Sequence, residues 1–129
     1  MVAFGREGEA LNFYHKALKS NEEIAVQDPD NMDMRLQLAN DYLQIARANV
    51  SLAAKPSHKK REFWTEARKM FVQSKEVFLD MQAHNLRTRP INDSLTEISQ
   101  EIAKCDDILS KLWNYFARDK ITSSGFIAS

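Results

Sequence analysis

Ala67-Arg68-Lys69-Met70-Phe71-Val72-Gln73-Ser74 and, 57 positions earlier, Ala10-Leu11-Asn12-Phe13-Tyr14-His15-Lys16-Ala17 carry one spacing: small, large, small at steps of four and three. Residues so spaced lie along one face of a helix. Two small side chains let a neighbouring helix approach closely, and the aromatic between them fills the gap. Working outward, Trp64, Ala67, Phe71, Ser74, Phe78 and Met81 keep the same rhythm over a whole helix. Leu95, Ile98, Ile102, Cys105, Leu109, Leu112 and Phe116 repeat it in the last third of the chain. An unbroken stripe of this period must face other helices.

Three glycines, three prolines and scattered β-branched residues leave little material for sheets with tight turns. The spacing therefore predicts an all-α domain of about four long antiparallel helices, over about residues 7–26, 31–53, 61–84 and 94–118. The first stops before Asp28-Pro29, because a residue preceding proline avoids helical geometry. Asp30 or Asn31 then caps the second, and Lys55–Lys60 with Pro56 forms a loop. The stretch Asn85–Asn92 with Pro90 is the next connection. Asp93 or Ser94 is expected to cap the fourth helix, since Ser94-x-x-Glu97 has the form of a capping box. One domain over 1–118 and a flexible serine-containing tail over 119–129 complete the expected organisation.

Charge excludes some function classes. Eighteen basic and eighteen acidic residues cancel across 129 residues, so no global field would hold nucleic acid or an anionic membrane. The basic run Lys59-Lys60-Arg61 falls in a loop and reads as solvated surface. No apolar run approaches the length needed to cross a bilayer. The start, Met1 to Arg6, lacks the apolar core of a secretory signal. A single cysteine forms no internal disulfide and fits a reducing compartment, so the expected location is cytoplasmic.

Candidate chemistry is sparse. His15, His58 and His84 lie in different elements with no His-x-x-x-His or Cys-x-x-Cys spacing, so no metal or cofactor is expected. Cys105 sits inside an apolar stripe and reads as a small buried hydrophobe. The acidic doublets Glu22-Glu23 and Asp106-Asp107 diverge by about 100 degrees on a helix, which makes them solvated faces rather than catalytic dyads. Trp64 and Trp113 are expected in the core, and Met70 and Met81 as gap fillers. With no nucleophile and base to pair, no enzyme is expected.

The Ala10–Tyr14–Ala17 helix followed by Asp28-Pro29-Asp30-Asn31 resembles the second helix and closing proline of a tetratricopeptide repeat. Tyr42-x-x-Ile45-Ala46 resembles the first helix of the next repeat, with Ala46 where glycine is usual and Asn49 where a further aromatic is usual. The long helices, the Leu38–Ala46 run and the Glu101–Leu109 ending resemble the tetratricopeptide regions that follow the catalytic domain of bacterial serine/threonine protein kinases. No kinase motif accompanies them, so kinase activity is not implied.

The resemblance covers about residues 7–112. It implies a short solenoid of stacked helical hairpins, a non-catalytic scaffold that binds a protein or peptide. In that frame Asn40, Leu43, Arg47, Val50 and Ser51 line the concave surface, with Arg47 suited to a carboxylate. A second apolar line on the first helix, Phe4, Leu11, Leu18 and Ala25, has no upstream partner in the repeat frame. The line is then either covered within the chain or open for a homodimer or a partner.

Overall fold

The computed structural model describes the backbone of residues 2–84 and 89–124, and the side chains of residues 8–84 and 89–114. Four helices account for the fold: α1 (Val2–Gln27), α2 (Met32–Ala53), α3 (Lys60–Ala83) and α4 (Arg89–Ser124). No strand occurs among the described residues.

Each helix packs on its neighbour in sequence: α1 on α2, α2 on α3 and α3 on α4, with no further backbone contact between helices among the described residues. Neighbouring helices run antiparallel. Ala25 and Val26 late in α1 lie beside Arg35 and Leu38 early in α2, and Ala10 and Tyr14 lie beside Arg47 and Ser51. Between α2 and α3, Ala39 meets Ser74 and Arg35 meets Asp80. At the last interface Arg68 meets Asp106.

The small–large–small face of α3 is the centre of the core. Ala67, Phe71 and Ser74 are all buried, with Phe78, Met81, Met70 and Trp64 extending the stripe. From α2 come Ala39, Leu43, Ile45, Ala46 and Ala53, and from α4 Ile91, Ile98 and Cys105. Ser74 does more than leave room. Its hydroxyl donates to the carbonyl oxygen of Ala39 at 2.9 Å, so the contact between these two small residues of α2 and α3 also holds a satisfied polar group. Asn49, also buried, donates to the Ile45 carbonyl one turn back at 2.9 Å.

Asn31 caps α2. Its side chain accepts from the Met34 amide at 3.1 Å from an extended backbone conformation, and its Nδ2 donates to Asp28. The expected cap of α4 is not where the helix begins. Ser94 lies inside α4, which starts at Arg89 with Pro90 in its first turn. Proline is well suited there, since its fixed φ is helical and the missing N–H has no partner in a first turn. Starting early also places Ile91, 7 % exposed, against α3 one heptad before Ile98. At the other end α4 runs past the expected limit to Ser124, since nothing before Gly125 breaks a helix. The rest of the expected tail, 125–129, lies outside the described residues. Helix α1 likewise begins earlier than expected, at Val2.

The second apolar line of α1 is covered inside the chain, and α2 covers it. Leu18 is buried in the core cluster, Leu11 packs against that cluster, and Ala25 is half-buried. The Phe4 side chain lies outside the described residues. Leu18 is thus turned into the core, while Leu11 keeps part of its surface outside.

Replacing Phe71 by Ala empties the middle of the stripe and should cost about 3–5 kcal/mol. Asn31→Ala, which removes only a cap, should cost about 1 kcal/mol. Urea unfolding followed by circular dichroism reads both, and equal costs would contradict a core centred on Phe71.

Candidate functional site

Because α2 and α4 both lean on α3 without touching through their backbones, a groove runs between them. It is floored by Phe78 and Met81 of α3 and walled by Met32, Leu36 and Asn40 of α2 and by Pro90, Ile91 and Ser94 of α4. Its volume is about 390 Å³, and its lining is mainly apolar. Asp33 is the one charged residue among those that line it. Leu36 is 40 % exposed at its edge, large and apolar where α2 faces solvent.

The structure divides the five expected groove residues. Asn40, Arg47 and Ser51 lie on the exposed side of α2, and Gln44 lies between them at the same helical period. Only Asn40 reaches the apolar groove. Arg47 and Ser51 border a shallower depression shared with Ala10 and Tyr14 of α1. Leu43 is turned inward, 6 % exposed in the core, and Val50 packs against the same cluster. The reason is that α2 is flanked by α1 and α3, so the residues one step away from the exposed line belong to its α3-facing side.

Arg47 has a partner already. Its guanidinium donates to Glu97 of α4 at 3.1 Å, across the mouth between α2 and α4. A carboxylate ligand would have to compete with that ion pair, although both side chains are well exposed and the pair is a weak one.

A polar seam joins α1 to α2. Asp41, nearly buried, accepts from Asn21 at 2.7 Å and from Gln37 at 2.9 Å, so both carboxylate oxygens are satisfied by neutral amides. The Tyr42 hydroxyl donates to Glu22 at 2.7 Å. Burial and this bond to an anion push the phenol well above its usual range, because ionising it would put two negative charges together. Glu22, expected as part of a solvated face, is thus also a tie between helices. Periodicity could not show this, because the acceptor's partner lies 20 residues away.

None of the remaining candidates converges on another. His15 and His58 are exposed in α1 and the α2–α3 loop. The His84 ring Nδ1 sits 2.8 Å from the Asp80 carbonyl oxygen at the end of α3. Among the described residues no three His, Cys, Asp or Glu side chains are grouped to hold a metal ion. Trp64 is buried as expected, but Trp113 is 55 % exposed, with the Arg61 guanidinium 5.3 Å from its ring centroid. The tryptophan lies beyond the main stripe, opposite the first turn of α3, where no further helix covers it. Among the described residues, no helix is long and apolar enough to cross a membrane.

Cys105 is 1 % exposed, and burial pushes its thiol up to about 11, with Glu101 and Asp106 adding to the shift. A thiol held protonated is a poor nucleophile.

With this geometry in view, comparison with known proteins gives no match to any family model, any curated protein or any solved structure.

The thiol shift has a signed consequence. Between the ordinary thiol value and about 11, the unfolded chain releases a proton that the folded chain keeps. The stabilisation from Cys105 is therefore complete below that range and is lost as pH rises through it. Urea midpoints at about pH 8 and about pH 10.5 should fall less for Cys105→Ala than for the natural chain. Identical declines would contradict the buried, protonated thiol.

Proposed function

We propose that this chain is a non-catalytic protein-binding module, a tetratricopeptide-like scaffold that takes a peptide or helix of a partner protein in the groove between α2 and α4. The observation that carries this reading is the groove itself: an open apolar channel between two helices held apart by a third. Sequential packing of antiparallel helices, each on its neighbour alone, fits a short solenoid of the kind the sequence resembles. Association with a bacterial serine/threonine kinase rests on the sequence resemblance alone, and a cytoplasmic location on cysteine usage and hydropathy.

The groove's chemistry refines the expected ligand. Arg47 is engaged by Glu97, and the charge along the lining is Asp33. A ligand that places two or three apolar side chains over Phe78 and Met81, with a cation near Asp33, suits the site better than an acidic segment. Asn40 and Ser94 stand where they can hydrogen-bond its backbone.

A random peptide library displayed on phage and selected on the purified chain tests this. Enriched peptides should be apolar with at least one Lys or Arg. Their affinity should fall at least about tenfold in Leu36→Glu, which changes an exposed groove residue without touching the core. Arg47→Ala should matter less. Peptides that bind Leu36→Glu as well as the natural chain would remove the groove assignment.

A further inference from the structure

Helix α1 carries exposed apolar residues that the groove does not use. Phe13 is 69 % exposed and Ile24 45 % exposed, and they stand three turns apart on one side of the helix. Shifted by the 57 positions that relate Ala10 to Ala67, they correspond to Met70 and Met81 of α3, which are 5 % and 3 % exposed. The face that α3 buries is thus open on α1.

Phe13, Ala17, Ser20 and Ile24 follow steps of four, three and four, the seam of a two-helix coiled coil. The order is self-complementary. Turned end for end about a point between Ala17 and Ser20, the seam places Phe13 over Ile24 and Ala17 over Ser20. Two large–large layers flank a small–small crossing, where the helices can approach closely.

Charge agrees with the same register. Lys16 and Glu23 lie together on one flank of the seam, both exposed, and no ion pair joins either to another described residue. Seven positions apart, they are too distant to pair within their own helix. In an antiparallel pair like flanks face each other, so Lys16 of each copy meets Glu23 of the other, twice by symmetry. The other flank, with Tyr14 and Asn21, is already taken by α2.

We propose that the Phe13–Ile24 face of α1 is the contact between two copies of this chain, packed antiparallel about a two-fold axis. The surface is separate from the α2–α4 groove, so a dimer leaves both grooves open. Three turns of helix on each side make a small interface, and the dimer dissociates in the range of roughly 1–100 µM.

Sedimentation equilibrium of the full chain across that range tests the proposal. The natural chain should shift from monomer to dimer, and a monomer throughout would overturn the idea. Phe13→Glu should weaken association by roughly a hundredfold while the helical circular dichroism stays unchanged. Lys16→Glu and Glu23→Lys should each weaken it roughly tenfold at low salt, because each turns two attractions into two repulsions. The double variant carrying both reversals should dimerise as the natural chain does. Single reversals that weaken the dimer without rescue in the double variant would overturn the antiparallel register.

Discussion

The close approach of α2 to α3 over Ala39 and Ser74 is the constraint on which the rest of the structure depends. Two small residues face each other there, and the Ser74 hydroxyl donates to the Ala39 carbonyl. A bulkier pair would push the helices apart and leave Phe71, 1 % exposed, without the contacts that fill its site. With that distance fixed, Phe71 is enclosed in the core and Phe78 lies between residues of α2 and α4, which settle on either side of α3. The groove between them is a by-product of this spacing: α2 and α4 are both packed on α3 and are joined to each other by the exposed Arg47–Glu97 pair rather than by backbone packing.

The two outer helices among the described residues differ on the sides away from their neighbours. The outer side of α4 carries Thr96, Ser99, Gln100 and Ser110, all exposed and polar, as suits a helix whose far side meets water. Helix α1 differs. It is tied to α2 by Leu18 and by a seam of neutral and anionic groups, while Phe13 and Ile24 stay outside. An exposed aromatic and an isoleucine stand in one line, in the position that α3 fills with buried methionines. Two separate surfaces result, the groove between α2 and α4 proposed for a partner segment and the α1 face proposed for a second copy.

Much of the fold was legible in the residues. The Ala67–Phe71–Ser74 spacing placed the core, the apolar stripe of α4 placed Ile98 and Cys105 within it, and Asp30-Asn31 marked the start of α2, with the structure selecting Asn31 as its cap. The α4 start was misread because Ser94-x-x-Glu97 satisfies a local rule, whereas burying Ile91 is a tertiary gain that the rule does not see. Trp113 was misread because it stands one position past Leu112, beside the stripe rather than on it. The site was less legible. Asn40, Arg47 and Ser51 do share an exposed side of α2, yet Leu43 is turned into the core and Arg47 is held by Glu97, 50 residues away in sequence.

By itself the sequence determined that the chain is all helix, where most helices lie, and which stripe of each is apolar. It could do so because helical period, proline and capping residues act within a few positions of one another. Only the tertiary structure decided which apolar stripe meets which. It turned the Leu11–Leu18 line of α1 inward and left Phe13 and Ile24 outside, and it opened a groove between α2 and α4. Those outcomes depend on distances between residues tens of positions apart, set when small side chains on α2 and α3 let the two helices close.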